Sequence, residues 1–124
     1  MKALFVTLAL ALGIVFGESA EFDKTVHDFG TISLKDGPQK CTFNVKNTGS
    51  DSLTIYTVVS SCGCTDVDWT RKSLAPGESG VINATYSNDE GTFPFDKTLT
   101  VYLSVMSKPV ILHLRGEVTN KKSK

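Results

Sequence analysis

Two cysteines separated by a single residue, Cys62 and Cys64, are the pair in this sequence whose spacing indicates chemistry. On a fully extended strand their Cα atoms would lie about 6.7 Å apart, at the upper edge of the range that a disulfide accepts. A bridge therefore requires a bend, which the intervening Gly63 permits. We expect such a disulfide to be strained and easily reduced.

The same pair has two other interpretations. In the reduced state the thiolates of Cys62 and Cys64 would lie on one side of a loop and could bind a soft metal such as Cu(I) or Zn(II). Two sulfurs are too few to complete a tetrahedral site. In a purely structural role, Gly63 would adopt a special backbone angle at a strand end while the cysteines pack against or cap a loop. The spacing leaves all three interpretations open.

The other residues with reactive side chains have structural interpretations. Cys41 lies on the apolar side of a strand pattern, so we expect a buried, inert thiol that remains as the odd cysteine. His113 falls on the polar side of its strand pattern, and His27 precedes a turn whose backbone it can bond. No phosphate-binding loop, paired acid–base constellation or nucleophile motif occurs. The sequence therefore predicts that the protein is not an enzyme.

Trp69 closes the short segment that follows the cysteines. Its large amphipathic ring makes it a candidate binding surface. Tryptophan side chains are mostly buried in folded proteins, however. Packing of Trp69 across the loop onto the body of the domain is the alternative that we favour.

The elements that must position these residues are strands, because the dominant hydrophobic period is two. The alternation predicts half-buried strands with inward residues Cys41, Phe43 and Val45, then Ile82, Ala84 and Tyr86, then Leu99, Val101, Leu103 and Val105, and last Val110, Leu112, Leu114, Gly116 and Val118. Two further strands are predicted at Phe22–Phe29 and Leu53–Val59. Helical spacing is nowhere sustained.

Residues that turns require separate these strands. Asn47-Thr48-Gly49-Ser50 offers side chains that bond their own backbone, and Pro76-Gly77 suits a type II turn. Six or seven short strands joined by such turns are typical of a sandwich or barrel.

The N-terminus predicts a cleaved signal peptide at residues 1–17. Lys2 precedes an uncharged run, Ala3–Gly17, that is shorter than the roughly 20 residues of a membrane-spanning helix and ends in small residues. We favour cleavage after Gly17, with Ser19 and Ala20 as alternatives. No cysteine follows directly, so no lipid attachment is expected. The mature chain should be periplasmic or secreted, soluble and not inserted in the membrane.

Removal of the leader from 124 residues leaves 107 residues, enough for one sandwich domain. The mature chain then has 12 basic and 13 acidic residues, a net charge of −1. This balance argues against nucleic acid and anionic membranes, which are usually recognised through a basic stripe. The only basic cluster lies in the polar tail, residues 119–124, which we expect to be a solvated terminus.

The order of motifs resembles a family of exported bacterial domains of unknown function, a relative of the major sperm protein and hydin-type β-sandwiches. The motifs are His27–Gly30, Asn47–Gly49, Ser61–Thr65, Leu74–Glu78 and Leu114–Val118. The resemblance covers residues 22–118, and Cys62-Gly63-Cys64-Thr65 is its most specific part. It implies an immunoglobulin-like fold outside the cytoplasm, without an established activity or ligand.

The sequence thus predicts an all-β, immunoglobulin-like antiparallel β-sandwich of about seven strands over residues 22–118. It predicts a non-enzymatic binding or assembly module without a cofactor, whose partner is another protein or a cell-envelope component. The alternative is a periplasmic thiol-redox or copper- or zinc-binding protein that uses Cys62 and Cys64.

Overall fold

A computed structural model of the chain describes residues 19–120 together with the backbone of Ile14–Phe16. Over these residues the chain forms one short 3-10 helix, Leu34–Asp36, and nine strands. The strands are β1 (Ile14–Phe16), β2 (Ala20–Phe22), β3 (Val26–Ser33), β4 (Gln39–Asn47), β5 (Ile55–Ser60), β6 (Thr65–Trp69), β7 (Ser79–Tyr86), β8 (Pro94–Leu103) and β9 (Val110–Thr119). Within this part of the chain, no helix has the length and hydrophobicity to cross a membrane.

The strands form two sheets around one core. The first sheet has five strands in the order β1-β2-β4-β7-β6, and the second has four in the order β3-β9-β8-β5. Neighbouring strands are antiparallel except for β3 and β9, which run parallel. The all-β sandwich is confirmed: seven of the nine strands, β3 to β9, follow Phe22 as predicted, and one strand pair is parallel.

Alternate residues of the central strands fill the space between the sheets. In β4 the alternation buries Cys41, Phe43 and Val45 and exposes the residues between them. The same period in β7, β8 and β9 buries Ile82, Ala84, Tyr86, Leu99, Val101, Leu103, Val110, Leu112, Leu114 and Val118. Each large apolar side chain buried in this way contributes about 1.5–3 kcal/mol to stability. The sequence alternation therefore predicted these core residues correctly, whereas Gly116, which it also placed inward, is only partly buried.

The first predicted strand is in fact two strands in different sheets. Phe22 ends β2 in the five-stranded sheet, whereas Val26 begins β3 in the four-stranded sheet. Between them, the backbone N–H of Asp23 donates to the carbonyl of Asn44 at 3.0 Å, and its carboxylate accepts from the N–H of Asn44 at 2.9 Å. Asp23 thus extends the pairing of β2 with β4 by one residue. The chain then crosses to the second sheet, where β3 runs parallel to β9.

Two other predicted strand bounds differ from the structure, and one strand was not predicted. Leu53 forms an isolated bridge with Leu74, so β5 begins only at Ile55. Val105 lies in the turn after β8, although it packs partly buried against the core. Strand β6 was not predicted, although Thr65, Val67 and Trp69 alternate with the exposed Asp66 and Asp68 at the period of a strand.

Two turn motifs adopt the geometry that the sequence predicts. Gly77 has a φ of +89°, and the N–H of Glu78 donates to the carbonyl of Ala75 at 2.9 Å, as in a type II turn with proline at its second position. The side chain of Asn47 accepts from the N–H of Gly49 at 3.0 Å and donates to the carbonyl of Leu74 at 2.9 Å. Asn47 thereby ties the β4–β5 connection to the start of the turn before β7.

The predicted leader, residues 1–17, lies outside the described residues apart from the backbone of β1. That backbone pairs with β2 from Ile14 opposite Phe22 to Phe16 opposite Ala20. The predicted tail, residues 119–124, is described only at Thr119, which ends β9, and at Asn120. Leader cleavage and the solvated tail stay predictions.

Candidate functional site

The two cysteines lie where the chain passes from one sheet to the other, in a segment that we call the cysteine corner, residues 60–65. It joins the end of β5 in the four-stranded sheet to the start of β6 in the five-stranded sheet. On one side the N–H of Ser61 donates to the carbonyl of Thr98 at 2.9 Å. On the other side the N–H of Ser87 donates to the carbonyl of Cys64 at 2.8 Å. The corner is therefore anchored to both sheets.

Within the corner, Cys62 and Cys64 are joined by a disulfide, and their Cα atoms lie 5.1 Å apart. The chain bends between them, and the N–H of Thr65 donates to the carbonyl of Cys62 at 3.3 Å. Gly63 has neither a positive φ nor an atom within 4 Å of the place that a Cβ would occupy. The special backbone angle that a purely structural role assigned to Gly63 is thus not present. Both cysteines are partly exposed.

A carboxylate lies beside the sulfurs. Oε2 of Glu90, on the connection between β7 and β8, is 3.6 Å from Sγ of Cys62. Among the described residues, Cys62, Cys64 and Glu90 form a group whose potential metal-binding atoms all lie within 4.8 Å of one another. The spacing of the cysteines singled out Cys62 and Cys64, whereas nothing in the sequence connects Glu90 with them.

Glu90 is held by two donors on its other oxygen. Oε1 accepts a hydrogen bond of 2.7 Å from the hydroxyl of Tyr86 and lies 3.2 Å from Nζ of Lys97. The Tyr86 hydrogen bond, followed by the bond and positive charge of Lys97, lowers the pKa of Glu90 against the opposing effect of burial. Glu90 is therefore a carboxylate at neutral pH, with Oε2 directed to the cysteines.

Tyr86 connects this carboxylate to the core. Its side chain is fully buried and stacks on Phe95 with ring centroids 4.1 Å apart. Burial, and after it the hydrogen bond to Glu90, raises the pKa of the Tyr86 phenol. Tyr86 therefore remains a hydrogen-bond donor across the physiological pH range.

The remaining titratable candidates have partners elsewhere. Nδ1 of His113 lies 2.8 Å from Oδ1 of Asp96, and Nδ1 of His27 lies 2.9 Å from Nζ of Lys24. Cys41 is buried in β4, where burial raises the pKa of its thiol to about 11. A thiol of such high pKa is almost entirely protonated near neutral pH and is a poor nucleophile. The chemistry of the described residues is therefore concentrated at the cysteine corner.

Trp69 lies at the other end of β6 from the cysteine corner. Its ring is partly buried and packs against the core. The guanidinium of Arg71 lies 3.9 Å from the ring centroid, and Arg71 also pairs with Asp68 at 3.7 Å. One face of the ring is thus taken up by a cation within the chain. The structure does not bring Trp69 together with the cysteines.

A second candidate site lies on the outside of the four-stranded sheet. Val59, Tyr102 and Ile111 point outward there, with exposed fractions of 51%, 42% and 44%. Thr100 pairs with both Val59 and Ile111, and Tyr102 lies two residues along β8 from Thr100. At that register, diagonal neighbours are about 7–8 Å apart, within reach of an aromatic side chain. We call Val59, Thr100, Tyr102 and Ile111 the apolar outer face.

The two sheets differ in their outward residues. Of the six large hydrophobic residues exposed in the described part of the chain, five lie on the four-stranded sheet: Val26, Tyr56, Val59, Tyr102 and Ile111. On the five-stranded sheet, the exposed residues of β4 are Lys40, Thr42, Asn44 and Lys46. This difference between the two sheets was not predicted from the sequence. Its signal is the presence of tyrosine and isoleucine in the polar phase of the strand alternation.

A match to a known protein family tests the resemblance that the sequence motifs indicated. The chain belongs to the family described as Protein of unknown function (DUF1573). The match covers residues 20–118, close to the predicted domain of residues 22–118. The resemblance drawn from the motifs is thus confirmed. No curated protein matches the chain.

Solved structures share the fold. A protein of unknown function from Porphyromonas gingivalis W83 matches with a TM-score of 0.68 and 17% identity, over 80% of this chain and 46% of that one. The ASH / PapD-like domain 7 of human CEP192 matches with a TM-score of 0.64 and 10% identity, over 90% and 92%. The VesB protease of Vibrio cholerae matches with a TM-score of 0.62 and 19% identity, over 80% and 32%.

At these identities the likeness shows the fold alone, an immunoglobulin-type β-sandwich. The chain spans less than half the length of the Porphyromonas and Vibrio proteins. The immunoglobulin-like fold class is therefore confirmed, whereas the activities of those proteins carry nothing over to this chain.

Proposed function

We propose that this protein is an exported, non-catalytic domain that binds a protein partner of the cell envelope through its apolar outer face. The observation that carries the proposal is the row formed by Val59, Thr100 and Ile111 across three strands, with Tyr102 beside it. Exposed apolar groups that are contiguous, and not scattered singly, mark interaction sites on soluble domains.

The chemistry of this face favours protein over other partners. Protein interfaces are enriched in aromatic residues and depleted of charge at their centre, with a polar rim. Here the centre has no charged residue. An aspartate–histidine contact and an arginine–aspartate pair lie farther along the same face, where Asp96 contacts His113 at 2.8 Å and Arg115 lies 3.9 Å from Asp28. Nucleic acid and anionic membranes require a basic surface, which these mixed charges do not provide.

Export is supported by the sequence of residues 1–17, which has the charge and hydrophobicity of a leader. A location in the periplasm or outside the cell follows from that proposal. It also provides the oxidising conditions under which a disulfide between Cys62 and Cys64 persists.

The experiment uses a photo-crosslinking amino acid placed in the full chain in its native cell. At Ile111 the probe should yield a crosslinked product with another protein. At Thr42, on the outward side of β4 in the opposite sheet, it should not. Equal yields of crosslinked product from the two positions, or no product from Ile111, would contradict the proposal.

A second candidate function, thiol-redox or soft-metal chemistry, is favoured by a separate observation. The disulfide of Cys62 and Cys64 is partly exposed, and a carboxylate lies 3.6 Å from one of its sulfurs. Exposed disulfides are the ones that external thiols reach and open. Thiol counting and intact mass with and without a mild dithiol test this function directly. A bridge that opens only on unfolding would rule out this second function, and protein binding would be the one that remains.

A further inference from the structure

The cysteine corner holds three ligand atoms of the kind that a divalent metal binds. We propose that, after reduction of the disulfide, Cys62, Cys64 and Glu90 bind Zn(II) through two thiolates and one carboxylate oxygen. The inference rests on the second candidate function, since it requires that the bridge can open. An external dithiol is oxidised to its disulfide as the protein bridge becomes two thiols. Binding of the metal then releases the two thiol protons to solvent.

The observed distance between sulfur and oxygen matches a zinc site. Zn–S bonds are about 2.3 Å long and Zn–O bonds about 2.1 Å, so at a tetrahedral angle the two ligand atoms stand about 3.6 Å apart. Sγ of Cys62 lies 3.6 Å from Oε2 of Glu90. The carboxylate therefore needs little movement to share an ion with this sulfur.

The two sulfurs must separate to bind one ion. Two thiolates on a tetrahedral Zn(II) stand about 3.8 Å apart, farther than the sulfurs of a disulfide. The Cα atoms of Cys62 and Cys64 are 5.1 Å apart, so rotation of the side chains after reduction can provide this separation.

Glu90 is already oriented for the metal by groups that would not themselves contact it. The Tyr86 hydroxyl at 2.7 Å and the Lys97 ammonium at 3.2 Å occupy Oε1, which leaves Oε2 directed to Cys62. Outer groups of this kind fix the orientation of a metal ligand, and their removal typically lowers metal affinity by about 10- to 100-fold. Tyr86 and Lys97 are positioning residues in this sense.

The charges and the donor types favour Zn(II) over Cu(I). Two thiolates and a carboxylate carry three negative charges, which a divalent cation and the Lys97 ammonium together neutralise. Zn(II) accepts oxygen beside sulfur, whereas Cu(I) selects soft sulfur donors. The carboxylate should therefore strengthen zinc binding and have little effect on copper. A water would complete the four ligands of zinc.

The test is a titration of the reduced full chain with Zn(II) in competition with a coloured chelator. We expect one zinc per chain, and at least about tenfold weaker binding in Glu90→Gln. The matched control is Asp89→Asn, which removes a neighbouring carboxylate that bonds Ser87 instead of facing the cysteines, and it should bind zinc as the wild type does. Cu(I) affinity should change by less than about threefold in Glu90→Gln.

Each other outcome has one meaning. Equal zinc affinity in Glu90→Gln and the wild type would overturn the three-ligand site. Reduced protein that binds no zinc would also overturn it, while thiol exchange measured on the same sample decides the redox function separately. Circular dichroism of Glu90→Gln, together with binding by Tyr86→Phe, distinguishes a lost ligand from a lost fold. If both variants keep the wild-type spectrum, Tyr86→Phe should weaken zinc binding and leave Cu(I) binding unchanged.

Discussion

The hydroxyl of Tyr86 donates a 2.7 Å hydrogen bond to Oε1 of Glu90. Because Tyr86 is fully buried and stacked on Phe95, this bond fixes the loop that carries Glu90 to the hydrophobic core. Burial raises the pKa of Tyr86 and the hydrogen bond raises it further, while the same bond lowers the pKa of Glu90. The place of Glu90 beside the cysteines thus depends on a core side chain.

Replacement of Tyr86 by phenylalanine should reveal this bond in the pH dependence of stability. At neutral pH, Tyr86→Phe should lower the free energy of unfolding by about 1 kcal/mol, since it removes one hydrogen bond and keeps the ring. In the wild type, the raised pKa means that the folded state keeps the phenol proton after the unfolded chain has lost it. The free energy of unfolding of the wild type should therefore fall as the pH rises above about 10. In Tyr86→Phe this alkaline decrease should be smaller.

Urea unfolding from about pH 7 to about pH 11 measures this difference. Tyr102→Phe, a change at an exposed tyrosine of the apolar outer face, is the control and should keep the alkaline loss of the wild type. The same alkaline loss in Tyr86→Phe as in Tyr102→Phe would contradict a role for the buried phenol.

The two faces of β8 should respond differently to charge. Val101 is fully buried between the sheets, so Val101→Asp should cost several kcal/mol, about 3 or more. Thr100 points outward beside it, and Thr100→Asp should cost no more than about 1 kcal/mol. Chemical denaturation of both variants gives the comparison. Similar costs would mean that both faces of the sheet are covered.

The three cysteines should fall into two classes of reactivity. After mild reduction, Cys62 and Cys64 should both be alkylated in the native protein at about pH 8. Cys41 should react only after unfolding, because a thiol with a pKa of about 11 is only about 0.1% ionised there and is also buried. Mass spectrometry of the alkylated chain counts the labels. Labelling of Cys41 in the native state would show that β4 is not packed as described.

The predicted leader gives a fourth measurable outcome. Cleavage after Gly17, or at the alternatives up to Ala20, places the mature N-terminus between Glu18 and Glu21. Intact mass of the protein from its native cell fixes that residue, and fractionation should place the chain with soluble material outside the cytoplasm. An uncleaved chain in the membrane fraction would show that residues 1–17 act as an anchor.

Local periodicity made much of the fold predictable. Burial alternates along one strand, so neighbours such as Val101 and Tyr102 reveal their faces without knowledge of any other strand. Turn residues are also recognised from the local sequence, and Gly77 adopts the positive φ that the Pro76-Gly77 turn requires. The family motifs added the sandwich class, which the match over residues 20–118 confirmed.

Contacts between distant segments were not predictable. Glu90 and Cys62 are 28 residues apart and meet only because β7 pairs with β6 beside the corner. The crossing at Asp23 depends on hydrogen bonds to Asn44 in another strand. The apolar outer face exists only through the register that sets Thr100 between Val59 and Ile111. A single sequence contains the residues but not these pairings.

The central claim is that the apolar outer face binds a protein, and the affinity of a crosslinked partner for two variants tests it most directly. Ile111→Glu places a charge on the apolar outer face, whereas Thr42→Glu places one at an exposed position of the opposite sheet. Each variant should unfold within about 1 kcal/mol of the wild type. We expect Kd to rise at least about tenfold, or 1.4 kcal/mol, for Ile111→Glu and to be unchanged for Thr42→Glu. Equal affinities of the two variants would contradict the account.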